Sequence, residues 1–183
     1  MREVRGRVGV AIAVWAATAT LFHLWTAGFG FFEPRTQRSF HLMFLLPLAF
    51  LLYPADPKQR ARTLFFEEYA DTRLVEILGT VFFQRFVQVN LMKKPADEAL
   101  VREAIDKKLP PTMDYLEDAL GDRPFMVGEH FTVADIALTS PFVNFMIAGE
   151  KLDAKRWPRY AAYLERIHAR PAYKPIVEGD LGR

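Results

Sequence analysis

The chain has 183 residues, of which 51% are hydrophobic and 14% aromatic, and it carries a formal net charge of +2. This composition fits one folded domain, or a small domain with an appendage, and excludes a wholly disordered chain. Because cysteine is absent, it also excludes a disulfide framework, a thiolate nucleophile and Cys-based metal sites. The near-neutral charge gives no general attraction to nucleic acid, so no nucleic-acid partner is expected.

The composition changes sharply after residue 53. Residues 1–53 carry a net charge of +3, whereas residues 54–183 carry −1. Residues 8–32 contain no Asp, Glu, Lys or Arg, and a second apolar stretch follows at residues 40–53. The sequence therefore predicts two parts, a hydrophobic segment over residues 1–53 and a separate domain over residues 54–183.

The first part is predicted to be a hydrophobic helical hairpin that anchors the chain in a membrane and contacts lipid. Residues 8–27 are long enough to cross a bilayer as a helix, and residues 28–39 contain the glycines and proline of a turn. Residues 40–53 are shorter and contain Pro47, which makes their crossing a weaker prediction.

The basic residues of this segment predict its orientation and location. They collect near the two ends of the hairpin, so the positive-inside rule places the hairpin in the inner membrane and the following domain in the cytoplasm. Two alternatives stay open. One is a cleaved signal peptide, and the other is an apolar hairpin packed inside a cytoplasmic protein.

Residues 21–53 also resemble a known family of membrane proteins. The motifs are Leu-Phe-His-Leu-Trp-Thr-Ala-Gly-Phe-Gly, then Gln-Arg, His-Leu and Phe-Leu-Leu-Tyr-Pro. They are similar to the start of fused permeases of the tripartite ATP-independent periplasmic (TRAP) transporters. Those permeases carry solutes through many membrane helices, so the resemblance brings no transport site to this chain.

From residue 56 onward the pattern predicts an all-helical domain, with no strand-like alternation. Asp56 is a typical N-cap, Pro57 a typical first helical residue, and Pro95 a stop. Gly121 ends a later helix, and proline is expected to kink two of the helices. The predicted helices cover residues 56–94, 97–120 (with Pro110 and Pro111), 132–147 (with Pro141), 157–170 and 172–178.

The first of these helices is apolar over much of its circumference. One stripe recurs at spacings of three and four residues, which indicates a buried or cleft-lining helix. Gly79 lies at its centre, where glycine costs about 1 kcal/mol relative to alanine, and it suggests the close approach of another element. The stripe comprises Leu74, Leu78, Phe82, Phe86 and Val89.

The segment after residue 130 has the pattern of a capped helix start. Thr132 and Asp135 have the spacing of a capping box, and Phe131 and Ile136 the spacing of a hydrophobic staple. The carboxylate also complements the positive end of the helix dipole. We interpret these residues as a folding device and not as a catalytic site.

The helical part resembles the C-terminal domain of glutathione S-transferases over residues 54–180. The motifs that carry the resemblance are Gly-Asp-Arg-Pro-Phe-Met-Val-Gly-Glu-His-Phe-Thr-Val-Ala-Asp and Trp-Pro-Arg-Tyr, followed by Leu-Glu-Arg-Ile-His-Ala-Arg-Pro-Ala. The resemblance implies an all-α bundle that supplies a wall of a hydrophobic-substrate site and part of a dimer interface. It also implies glutathione as the co-substrate, and a homodimer or a partner that supplies the other domain.

That other domain, which is thioredoxin-like in the family, has no counterpart in residues 1–53. They contain no βαβ pattern, no Val-Pro context for a cis-proline and no Glu-Ser pair for a glutamyl group. No residue is therefore predicted to activate a thiol, and no catalytic residue is assigned. No metal site is predicted either, because His130 and His168 lack metal-ligand spacing.

Five residues of the first helix are predicted to face a cleft and bind a hydrophobic small molecule: Tyr69, Arg73, Phe83, Phe86 and Asn90. Core packing for the two phenylalanines and a solvated position for the arginine are the alternatives. The predicted function is a non-catalytic binding or interaction module. An active transferase and a fragment of a TRAP-type permease remain the alternatives.

Overall fold

The computed structural model describes Val14 and residues 52–180 of the chain. By spatial proximity the chain divides into two units, Met1–Pro54 and Ala55–Arg183. The predicted membrane hairpin and the permease resemblance lie outside the described residues, apart from Val14 and residues 52–53, and both stay predictions.

The second unit is helical, and no strand occurs among residues 52–180, which confirms the all-α prediction for that range. No helix in this range combines the length and the apolarity needed to cross a membrane. The α-helices are α1 (Pro57–Tyr69), α2 (Val75–Phe82), α3 (Glu98–Arg102), α4 (Leu109–Leu120), α5 (Val133–Thr139), α6 (Pro141–Ile147), α7 (Pro158–His168) and α8 (Lys174–Asp180). Three π-helical stretches, π1 (Ala70–Leu74), π2 (Phe83–Leu91) and π3 (Glu103–Lys108), join some of them.

Two long helices result from these junctions. The first long helix runs from α1 through π1 and α2 to the end of π2, and the second long helix runs from α3 through π3 to the end of α4. As predicted, Asp56 caps the first one, because its Oδ1 accepts a hydrogen bond from the Gln59 amide at 2.8 Å. The helix ends at Leu91, and Lys93 then adopts a positive φ of 56°. The end therefore lies three residues before the predicted Lys94.

The π-helical stretches change which face of the first long helix is buried. Leu74 and Leu78 are fully buried, but Phe82 and Phe86 are only half-buried and Val89 is exposed. A π-helix bonds residue i to i+5 and not to i+4, so positions spaced by four residues drift away from the core along π2. Leu74 and Leu78 are therefore buried as predicted, whereas the stripe from Phe82 onward is only partly covered.

Proline and glycine mark the junctions of the other helices. Pro110 and Pro111 lie in the first turn of α4, directly after π3, so the helix changes register there without breaking. Gly121 ends α4 with a positive φ of 58°, as its position predicts. Pro141 is the first residue of α6, and Ser140 before it has helical backbone angles.

The core lies where the long helices meet α5, α6 and α7. Helix α5 packs against α1, α6 against α2, and α7 against α4 and α5. Burying each large apolar side chain contributes about 1.5–3 kcal/mol relative to leaving it exposed. The largest fully buried side chains include Phe66, Leu74, Ile77, Leu78, Met113, Leu138, Phe145, Tyr160 and Tyr163.

Helix α7 is capped by a residue of a different helix. The side chain of its N-cap residue, Trp157, makes no capping hydrogen bond to the helix. The buried carboxylate of Glu117 on α4 accepts instead from the backbone amides of Arg159 (3.0 Å) and Tyr160 (2.7 Å). The indole of Trp157 donates to Asp114, also on α4, at 2.6 Å. These bonds join the second long helix to α7.

Candidate functional site

A groove with a volume of about 480 Å³ lies between α2 and the helix pair α5–α6. Val75 of α2, Ile136 of α5, and Pro141 and Val143 of α6 form its apolar walls. Small-molecule pockets in proteins have volumes of roughly 300–1,000 Å³ and mainly apolar linings. The groove is therefore large enough for a small ligand.

Gly79 opens the groove on the α2 side. A Cβ atom added at this position would come no closer than 3.8 Å to a described side chain, namely that of its own-helix neighbour Val75. The expectation that Gly79 permits close approach of another element is therefore wrong. The missing side chain leaves an open space that the groove occupies.

Three neutral polar side chains complete the lining. Ser140 and Asn144 are exposed, and Tyr173 is half-buried at the start of α8. The Tyr173 hydroxyl lies 3.4 Å from the Thr139 hydroxyl, and burial raises the pKa of Tyr173. The lining contains hydrogen-bonding groups but no charged side chain, so it suits a neutral ligand.

His168, the last residue of α7, packs against the Tyr173 ring that lines the groove. The two rings stack with centroids 5.3 Å apart and an interplanar angle of 18°. The imidazole Nε2 lies 3.0 Å from the Thr139 carbonyl oxygen. Burial lowers the pKa of His168, because a charged imidazole would lose part of its hydration there.

The five predicted binding residues lie elsewhere, and none of them lines this groove. The Tyr69 ring packs 5.2 Å from that of Tyr115, and burial raises the pKa of Tyr69. Arg73 forms an exposed ion pair with Glu76 at 3.8 Å. Both residues belong to the surface where the first long helix meets α4.

The other three predicted residues follow along π2. Phe83 is 41% exposed, and Phe86 stacks on Phe82 with ring centroids 5.2 Å apart. Asn90 is exposed near the end of the first long helix. The five residues therefore extend along one helix and do not converge on one cavity, and their role in binding stays a prediction.

The segment before α5 contains a buried hydrogen-bonded carboxylate. Asp135 is fully buried, and its Oδ2 accepts from the Thr132 amide (2.7 Å) and hydroxyl (3.1 Å). Its Oδ1 accepts from the Met126 amide at 2.9 Å and from the Tyr163 hydroxyl at 2.7 Å. The last two bonds hold the preceding loop and α7 to the same carboxylate, and they were not predicted.

The two residues predicted to form a hydrophobic staple at this helix start, Phe131 and Ile136, lie in different surroundings. Phe131 is half-buried and lies 6.1 Å from the Phe125 ring, whereas Ile136 faces the groove. The four hydrogen bonds that Asp135 accepts occupy both of its carboxylate oxygens, so the carboxylate is a structural anchor.

In residues 52–180 no cluster of His, Asp and Glu side chains is arranged to hold a metal ion.

Sequence reasoning missed the groove because its lining comes from separate parts of the chain. Val75 and Gly79 are more than fifty residues before Ser140 and Asn144, and Tyr173 follows in the turn before α8. The one local signal was Gly79 in the middle of an apolar helix. A glycine at that position also fits the close approach of another helix, so it does not by itself predict a groove.

Comparisons with known proteins agree with this architecture. Residues 99–166 match the family model "Glutathione S-transferase, C-terminal domain". The chain is 26% identical over 130 residues to glutathione S-transferase F14 of Arabidopsis thaliana, covering 69% of this chain and 50% of that protein. It is 35% identical over 123 residues to human glutathione S-transferase theta-2B, covering 64% of this chain and 47% of that protein. The chain thus spans about half the length of these relatives.

A solved structure shows the same fold. Glutathione transferase F2 from Populus trichocarpa aligns with a TM-score of 0.63 and 21% sequence identity, covering 80% of this chain and 70% of that one. A likeness at this level of identity shows that the two chains share a fold. The match of residues 99–166 to the family model and this likeness of fold make the helical part similar to the C-terminal domain of glutathione S-transferases.

Proposed function

We propose that the helical domain is a binding module whose groove between α2 and α5–α6 takes a neutral, largely apolar small molecule. The observation that carries this proposal is the composition of the lining. Apolar side chains from three helices face a cavity of about 480 Å³, and Ser140, Asn144 and Tyr173 offer uncharged hydrogen-bonding groups. Such a lining orients a ligand through a few polar contacts and binds it through apolar burial.

The same lining does not suit glutathione itself. Glutathione carries two carboxylates and an ammonium group, and a buried or half-buried charge needs a partner of opposite charge. The groove provides none. A glutathione site would therefore have to come from another domain or subunit, which is why we propose a non-catalytic role for this domain on its own.

Two substitutions at Gly79 test the groove, with the neutral dye Nile red as the probe. Gly79→Phe places a ring in the cavity and should abolish dye binding. Gly79→Ala is the matched control, because its methyl group meets only Val75 at 3.8 Å, and it should bind the dye as the wild type does. Unchanged dye binding by folded Gly79→Phe would contradict the proposal.

The second candidate function is an active transferase, which the names of the relatives favour. The full chain should then bind to immobilised glutathione and conjugate glutathione to a chlorinated nitrobenzene. We expect neither result from the chain on its own. Measurable conjugation that requires glutathione would favour the enzyme over the binding module.

For the whole chain we further propose that residues 1–53 anchor the helical domain to the inner membrane, with that domain in the cytoplasm. The apolar stretches at residues 8–32 and 40–53 support this proposal. Recovery of the protein in carbonate-washed membranes is the expected result. Release into the carbonate supernatant would contradict anchoring and favour a hairpin packed within a soluble protein. The permease alternative would require a different observation, namely solute uptake into vesicles that contain the protein.

A further inference from the structure

Helix α8 is attached to the rest of the domain through a small contact that contains a titratable group. A turn at residues 169–173 leads from α7 to α8, so His168 and Tyr173 meet across it. Their rings stack at 5.3 Å. Each ring also bonds to Thr139 of α5, His168 through the Thr139 carbonyl at 3.0 Å and Tyr173 through its hydroxyl at 3.4 Å.

This contact determines one wall of the groove. Tyr173 lines the groove together with Ser140 and Asn144, and Val177, one turn further along α8, is buried. If α8 leaves its position, Tyr173 leaves with it. The groove then loses its wall on that side.

The surroundings of His168 favour its neutral form. Tyr173, in the turn before α8, is the titratable group that stacks on the imidazole, and α5 presents the neutral carbonyl of Thr139. Three charged side chains of the turn and of α8 are engaged elsewhere. The Arg170 guanidinium lies 4.1 Å from the centre of the Phe131 ring, and Lys174 forms an ion pair with Glu178 at 3.6 Å.

We propose that His168 is a pH-sensitive latch, which holds Tyr173 and α8 against α5 and α6 when it is neutral and releases them when it is protonated. Neutral imidazole donates its Nε2 proton to Thr139 and stacks on Tyr173. Protonation places a positive charge in a half-buried site, and no carboxylate among the described side chains forms an ion pair with it. Release of α8 exposes that charge to water.

The direction of the pH effect follows from the lowered pKa of His168. In the released state the imidazole has the ordinary pKa of about 6.5. Docking is therefore at full strength above pH 6.5, and it weakens as the pH falls from there through the lower pKa of the docked state. The docking equilibrium falls by roughly tenfold for each unit that separates the two pKa values.

Hydrogen exchange of the full chain measures this equilibrium directly. The readout is the protection of the α8 amides, with that of Val177 foremost, between pH 5 and 8 after correction for the intrinsic exchange rate. Wild type should lose protection below about pH 6.5. His130 is exposed in the loop before α5, so His130→Gln is a matched control with the wild-type profile.

His168→Phe separates the latch from a purely structural role, because phenylalanine keeps a stacking ring but does not titrate. It should keep α8 protected at neutral pH and remove the pH dependence. His168→Gln should also be independent of pH, with lower protection throughout because the stacking is lost. Constant protection in the wild type, or a surviving pH dependence in His168→Phe, would overturn the proposal.

The consequence for ligand binding rests on the proposed function of the groove, and it has a separate readout. Nile red binding by the wild type should weaken over the same pH range in which α8 loses protection. A pH-dependent exchange profile of α8 in a protein that does not bind the dye would remove the groove function and leave the latch intact. The opposite result would remove the latch and leave the groove.

Discussion

At the residue scale, Asp135 is the polar side chain on which the packing of α5 most depends. It is fully buried and accepts four hydrogen bonds, from the Thr132 amide and hydroxyl, the Met126 amide and the Tyr163 hydroxyl. Each donor would remain buried without a partner if the carboxylate were removed. An unpaired buried donor costs about 1–3 kcal/mol.

We therefore predict that Asp135→Ala lowers the free energy of unfolding by about 3–5 kcal/mol, because several buried donors lose their acceptor together. Denaturant unfolding followed by circular dichroism measures this change. Asp106 is exposed on π3, so Asp106→Ala is the control and should change stability by less than about 0.5 kcal/mol. Equal effects of the two substitutions would contradict the anchoring role.

The sequence predicts only the local half of this arrangement. Thr132 and Asp135 lie three residues apart, and this spacing is sufficient to identify a helix start. Met126 and Tyr163 reach the same carboxylate because the chain folds back on itself. No short-range spacing in the sequence predicts these two contacts. The groove is a similar case, since tertiary packing brings its lining together.

At the scale of the helix, the start of α7 depends on a residue of α4. Glu117 accepts from the amides of Arg159 and Tyr160, which would otherwise be unpaired donors of the first helical turn. We predict that Glu117→Ala lowers the free energy of unfolding by about 1–3 kcal/mol. It should also speed hydrogen exchange at these two amides more than elsewhere in the domain.

The neighbouring residue offers the control for this prediction. Asp118 also faces Arg159, at 3.6 Å, but its side chain is 85% exposed. Exposed ion pairs contribute about 0–1 kcal/mol, so Asp118→Ala should leave the exchange of α7 nearly unchanged. If both variants change the exchange of α7 equally, the loss of a negative charge near Arg159 causes the change, and the loss of the cap on α7 does not.

Helix boundaries were predicted well because single residues determine them. Asp56 and Gly121 act through their own side chain or backbone angle, and the structure shows both at helix ends. The burial pattern along the first long helix was predicted less well. The π-helical stretches π1 and π2 change the residue spacing that faces the core, and a pattern based on 3.6 residues per turn does not contain that change.

Gly79 lies in this first long helix, and its effect on helix stability can be measured apart from ligand binding. Its backbone is helical within α2, and a methyl group would meet Val75 at an ordinary distance of 3.8 Å. Gly79→Ala should therefore raise the free energy of unfolding by about 0.5–1 kcal/mol. Denaturant unfolding is the measurement, and a destabilised variant would mean that the open space at Gly79 is narrower than the structure shows.

At the scale of the whole molecule, an aromatic patch on the outside of the two long helices is left exposed by the packing of the described domain. We define the patch by Leu64, Phe65, Tyr69 and Tyr115. Leu64 is 48%, Phe65 51% and Tyr115 42% exposed. The Tyr69 ring lies between the Phe65 and Tyr115 rings, at 6.0 and 5.2 Å. Contiguous exposed apolar surface of this kind is typical of protein interfaces.

We predict that the patch mediates the homodimer that the glutathione S-transferase resemblance implies, because a second copy would cover the same aromatic rings on both subunits. Phe65→Glu places a charge at the centre of the patch and should convert the dimer into a monomer in sedimentation velocity experiments on the full chain in detergent. Val89→Glu is the control, since Val89 is similarly exposed at 41% but lies on π2, away from the patch. It should leave the dimer intact. A wild-type protein that sediments as a monomer at all concentrations, or a Phe65→Glu variant that still dimerises, would show that the patch does not join two copies.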